Sequence, residues 1–264
     1  MLIDEGQDLK DAYYALLLTR LKSGEYVPPH TIAFDANQTI LGGVAREFRN
    51  LDNFFDDVVS LTYNYRSTAQ IAKACMSMVT ALHDAYIGLD NHDETDMDLS
   101  RDPLTARCTF AMTGPTVGVH LVDECSKIYQ LLPGLLRDVS GAYMEPPSMA
   151  VILVSAKGMV GAVNRMRIDE AELSAVVKAV DGRIRVLSPG EAKGSEFLAG
   201  VVVDMLTYPP TTDGLSIVSR KQYRFMCGAY VALSRFRDRA EYVCVTERAP
   251  LYRATSPTKS LSEA

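Results

Sequence analysis

The chain has 264 residues, 27 Lys and Arg against 33 Asp and Glu, a net charge of −6 and 47% hydrophobic side chains. That balance suits a globular protein with one large core or two modest ones. It excludes a molecule that grips nucleic acid through its overall charge, so any such contact needs a local basic face.

No apolar run approaches the ~18 residues that span a bilayer. The start, Met1 to Asp8, turns acidic at Asp4 and is unlike a signal peptide. Cys75, Cys108, Cys125, Cys227 and Cys244 are scattered without a CxxC pair. This predicts free thiols in a reducing cytoplasm rather than zinc or a disulfide framework.

In chain order, Ile3 and Asp4 read as the end of a buried strand. Residues 8–22 carry apolar positions at helical spacing, with Asp8 as a cap. A turn at 23–29 leads into a short strand at 30–36 that ends near Asp35, and 58–63 is another extended run. A helix is predicted from Ser67 to about His83. The stretch 84–105 has Asp90, Asp93, Glu94, Asp96, Asp98 and Asp102 without periodicity, as in a connector. Beyond it, apolar strand candidates at 117–122, 149–155, 183–187, 201–205 and 241–246 alternate with helical patterns at 123–138, 158–178 and 218–236. This alternation of Val/Ile-rich strands with helices predicts an α/β fold with a largely parallel sheet covered on both faces.

Three constellations carry chemistry. Asp4-Glu5-Gly6-Gln7-Asp8 follows a hydrophobic strand: Asp can hold Mg²⁺ and Glu can take a proton from attacking water, although a solvated acidic helix start has the same composition. Asp35-Ala36-Asn37-Gln38 again follows a strand. A carboxamide there can meet phosphate oxygen and water together, and a capping turn is the plain alternative. Leu61-Thr62-Tyr63-Asn64-Tyr65-Arg66-Ser67 combines a ring for a base, a guanidinium for phosphate and a hydroxyl able to cap the next helix.

In this order and spacing, these segments resemble motifs II, III and IV of the UvrD/PcrA/Rep family of superfamily 1 DNA helicases. Two later segments extend the likeness. Ser188-Pro189-Gly190-Glu191-Ala192-Lys193-Gly194-Ser195-Glu196-Phe197 is similar to motif V, and Tyr230-Val231-Ala232-Leu233-Ser234-Arg235 to motif VI. The resemblance implies RecA-like parallel sheets, with residues 1–105 as the rear portion of a first RecA-like domain plus the acidic connector, and 106–264 as a second.

It also implies roles. Asp4 would bind Mg²⁺ and Glu5 would activate water. Gln38 would sense the γ-phosphate of ATP, and Tyr65 would stack on adenine. Arg66 and Arg235 would reach the γ-phosphate from opposite sides of a cleft, where the guanidinium fork matches phosphate oxygens. Gly194 would let the backbone approach the nucleotide and Glu196 would bind the ribose; a surface ion pair of Lys193 and Glu196 is the alternative.

Single-stranded DNA is the partner that the family implies. A local basic stretch of Arg220, Lys221, Arg224, Arg235, Arg237 and Arg239 could follow its backbone, or could form a solvated helix face. There are also departures from the family pattern. Gly190 stands where motif V carries a DNA-contacting His, Ser195 replaces a Leu, and Phe34 replaces a Gly. About 120 residues separate Arg66 from Ser188, too few for the family's large accessory insertion.

The sequence contains no GxxxxGK[ST], the loop that cradles phosphates. The expected function is therefore that of the C-terminal part of an ATP-dependent DNA helicase, inactive alone and completed by an N-terminal half in cis or in trans. A non-catalytic nucleic-acid- or protein-binding module on a degenerate helicase fold is the alternative.

Overall fold

The computed structural model describes residues 2–3, 16, 19–20, 22–24, 26, 29, 31–33, 63–86, 109–155, 168–206, 208 and 220–255. Asp4, Glu5, Gln38 and the proposed cap Asp8 lie outside them, as do 87–105 of the acidic stretch. Two small parallel pairs come first. β1 (Leu2–Ile3) pairs with β2 (Thr31–Ile32), and the Ala33 N–H donates to Ile3 O at 2.8 Å. Leu2 is exposed and Ile3 only half-buried, so this strand end is less buried than expected. β3 (Tyr63–Asn64) pairs with β4 (Thr109–Phe110), a strand that the sequence reading did not anticipate.

The central feature is a five-stranded parallel sheet. It is formed by β5 (Gly118–Leu121), β6 (Met149–Val154), β7 (Arg185–Leu187), β8 (Phe197–Asp204) and β9 (Phe236–Cys244), in the order β5-β9-β8-β6-β7. The α/β class with a parallel sheet is as expected. Inner strands β6 and β8 follow from Val- and Ala-rich runs, that of β6 being Met149-Ala150-Val151-Ile152-Leu153-Val154, buried at every position. Their side chains divide by period two. Ala150, Ile152 and Val154 enter one core, while Met149, Val151 and Leu153 enter the other.

The helices are α1 (Ala69–Tyr86), α2 (Cys125–Gly141), α3 (Glu170–Val180), α4 (Pro189–Ala192), α5 (Arg220–Leu233) and α6 (Pro250–Thr255). Connections through α2 and α3 run one way across the sheet, and those through α4 and α5 run back. Right-handed crossovers therefore place the two sets on opposite faces. Accordingly, Ile128, Leu132 and Leu136 of α2 join Leu173 and Val177 of α3 in one core. On the other face lie Ile71, Cys75 and Met78 of α1, Ala229, Ala232 and Leu233 of α5, and Leu251 of α6. Thus α1, which the resemblance assigns to the first portion of the chain, shares a core with the five-stranded sheet.

Local signals explain several ends. Asp169 caps α3, accepting from the N–H of Ala171 at 2.8 Å and of Glu172 at 3.1 Å. Strands β8 and β9 begin four and five residues earlier than their apolar runs suggest. The charged segment from Arg237 to Ala240 lies between the helical pattern that ends at Phe236 and the apolar run, yet it is fixed as strand by pairing with β8. Helices α4 and α6 were also not foreseen, because neither is long enough to show a helical period. Among the described residues, no helix is long and apolar enough to cross a membrane.

Candidate functional site

The segment Tyr63 to Thr68 is built around Asn64. Its Oδ1 accepts from the N–H of Arg66 at 2.8 Å and of Ser67 at 3.1 Å, and its Nδ2 donates to Ser67 Oγ at 3.2 Å. An Asn that bonds the backbone two residues on makes a tight turn, which suits the passage from β3 to α1. Ser67 does not cap α1 as expected. Its hydroxyl is engaged by Asn64, and backbone carbonyls serve the helix start instead: Thr68 N–H donates to Arg237 O at 2.8 Å and Ala69 N–H to Met112 O at 2.9 Å.

From this turn the Arg66 side chain crosses to Glu196, with Nε 2.9 Å from Oε1 and both groups partly exposed. The Nε–H finds no aligned acceptor, so the contact is an ion pair rather than a directed hydrogen bond. Glu196 sits just before β8, at the end of a loop whose geometry the sequence dictates closely. Ser188 and Glu191 form a capping box: Ser188 Oγ accepts from Glu191 N–H at 3.3 Å, and Glu191 Oε2 accepts from Ser188 N–H at 2.8 Å. Pro189 occupies the first helical position, where its missing N–H is harmless. Gly194 has φ +79°, a left-handed conformation that favours glycine, and a Cβ built there would meet nothing within 4 Å. Its backbone is therefore open to approach.

The third segment is the turn from α5 into β9. The backbone of Arg235 joins the site, its carbonyl accepting from Phe197 N–H at 2.9 Å. Its side chain is 1% exposed, and Nε donates to Val231 O at 3.2 Å while Nη2 donates to Ser234 Oγ at 3.1 Å. A guanidinium on the last carbonyls of a helix is favoured by the helix dipole. Two residues on, Arg237 Nε donates to Arg66 O at 3.3 Å, and Thr68 Oγ1 donates to Asp238 O at 3.4 Å.

Arg66, Tyr65, Gly194, Glu196 and Arg235 are thus gathered where three distant segments meet. Tyr65 is exposed and Arg66 partly so, whereas the guanidinium of Arg235 is enclosed. Asp4, Glu5 and Gln38 lie outside the described residues, as do the side chains of Arg220, Lys221 and Arg224.

A second polar cluster escaped the sequence reading. Asp204, at the carboxyl end of β8, is fully buried and accepts from Tyr208 Oη at 2.7 Å, from Leu206 N–H at 3.0 Å and from the Tyr242 hydroxyl. Burial pushes its carboxyl up to about 6, with the three hydrogen bonds pulling the other way. An Asp closing a Val-rich strand was the one available signal.

No protein-family model matches the chain, and no curated protein matches it. Among solved structures, the C-terminal domain of a possible DNA helicase from Lactobacillus plantarum is similar at 18% identity and a TM-score of 0.37, over 73% of this chain and 94% of that one.

Proposed function

We propose that this chain is the C-terminal part of a UvrD-like, ATP-dependent DNA helicase or translocase, supplying one wall of a nucleotide site. The supporting observation is the meeting of three segments that lie far apart in sequence, with Arg66 against Glu196 and the Arg235 carbonyl bonded to Phe197 beside it. An exposed Tyr65 ring, a partly exposed Arg66 and an open backbone at Gly194 fit a base, a phosphate group and a close backbone approach respectively. In this reading Glu196 turns from Arg66 to the ribose, and Asp4, Glu5 and Gln38 serve Mg²⁺, water and the γ-phosphate. A phosphate-binding loop, absent from the sequence, comes from an N-terminal half in cis or in trans, and single-stranded DNA is the track.

Calorimetric titration of the chain with Mg-ATP tests this. Arg66→Ala is expected to weaken binding by about ten- to a hundredfold, as for loss of a charge-assisted hydrogen bond. Unchanged affinity would remove the nucleotide assignment. Hydrolysis by the chain alone should be negligible, and activity persisting in Glu5→Gln would contradict the proposed chemistry.

One observation favours the second reading, a non-catalytic binding module. The guanidinium of Arg235 is buried against the end of α5 and would have to leave Val231 O to reach a phosphate. Arg235→Met separates the two. As a structural residue it should lower stability by about 1–3 kcal/mol with nucleotide affinity intact, because a buried carbonyl loses its donor. As a phosphate ligand it should lower affinity as well.

A further inference from the structure

Tyr63 of β3 and Tyr65, the residue just past its end, stand two residues apart in extended chain and so on one side of it, with Asn64 turned the other way. They are 48% and 71% exposed, and their ring centroids are 4.3 Å apart at an interplanar angle of 36°. The backbone beneath them is pinned: Ala111 N–H donates to Asn64 O at 3.0 Å, and Asn64 Oδ1 takes the next two amides. The remaining freedom of the Tyr65 side chain lies in its rotamers, and the Tyr63 ring restricts them from one side.

The spacing also decides where a third ring can go. A base inserted between the two would need about 7 Å, two carbon–carbon contact distances, and 4.3 Å leaves no such gap. The opposite face of Tyr65, open at 71% exposure, is where a planar ligand can lie.

We infer that Tyr63 is a positioning residue that backs the Tyr65 ring and presents it as a stacking face for the adenine base of a nucleotide whose phosphates meet Arg66. This rests on the nucleotide reading above. An aromatic ring fixed before the ligand arrives loses less rotamer freedom on binding, so the backing ring acts on affinity without touching the base.

The chain has no tryptophan, so Tyr65→Trp creates a single fluorescent reporter at the proposed face. Titration with ATP is expected to quench the emission of the introduced indole saturably. Adding Tyr63→Ala should weaken this binding by about two- to tenfold, the range set by one aromatic pair, and lower the emission anisotropy of the free protein. Tyr63→Phe should restore affinity to within about twofold, since the ring and not the hydroxyl supplies the support. Saturable quenching that Tyr63→Ala leaves unaltered would overturn the positioning role while the nucleotide reading stands. Quenching by a single-stranded oligonucleotide but not by ATP would assign the ring to the polymer and overturn the adenine assignment. No response to either ligand would remove both the inference and the nucleotide wall on which it rests.

Discussion

Gly200→Ala is expected to lower the melting temperature by about 10 °C, from a destabilisation of about 3 kcal/mol at the upper end of the usual range for overpacking. Gly200 lies in the central strand β8, directly beside Ala150 of β6. A Cβ at this position would stand 2.1 Å from the Ala150 carbonyl oxygen and 2.4 Å from the Phe236 ring. The ring can move, but the carbonyl belongs to the backbone of the neighbouring central strand and cannot shift without breaking ladder hydrogen bonds. Phe236→Leu should therefore rescue little of the loss. A calorimetric scan showing Gly200→Ala within about 2 °C of the parent would mean that β6 and β8 part at little cost to admit the methyl group.

A loss of stability of about 2 kcal/mol between pH 4 and pH 7 is expected from Asp204 alone, and Asp204→Asn should remove it. The carboxyl is raised from 3.8 in the open chain to about 6 in the fold, because burial disfavours its charge more than Tyr208, Tyr242 and the Leu206 N–H favour it. Between these two values the folded state holds the proton and the unfolded state does not. The contribution is therefore full below the unfolded value, declines as pH rises through about 6, and is flat beyond. Its own burial first, and the Asp204 charge second, push the neighbouring Cys244 thiol up to about 12, so it stays protonated across this window. The quantity to measure is the difference between the stability profiles of the parent and Asp204→Asn, since other carboxylates such as Asp181, held down to about 2 by Arg183, contribute equally to both. Parallel profiles would show that Asp204 titrates as though in water.

Much of the fold is legible in the chain because inner strands β6 and β8 are buried on both faces. Val201-Val202-Val203 and Ala150-Val151-Ile152-Leu153 can hardly be anything but central parallel strands once helical patterns separate them. The edges of those elements are less legible. The helical pattern runs to Phe236 and the apolar strand begins only at Glu241, and only the pairing of Phe236 with Phe197 and of Arg239 with Ala199 of β8 makes the segment between them strand. The capping box at Ser188 and Glu191 is visible as a spacing of three residues, yet nothing local says that its loop ends against Arg66.

The sequence by itself determined the chemical types available at the site: Tyr65 and Arg66 after an apolar run, Gly194 where a left-handed turn is needed, Glu196 ahead of a strand, and Arg235 at a helix end. It also determined the alternation that forces a parallel sheet, since that follows from periodicity within short windows. The tertiary structure alone decided that Arg66 faces Glu196, that the Arg235 side chain turns inward to its own helix, and that Tyr63 backs Tyr65 with one face left open. It likewise decided that Asp204 is sealed beneath two tyrosines. These outcomes depend on partners that are distant in the chain or on which side of a ring meets solvent. Hydrogen bonds and burial of that kind are settled by the packing of whole elements, and local composition has no term for them.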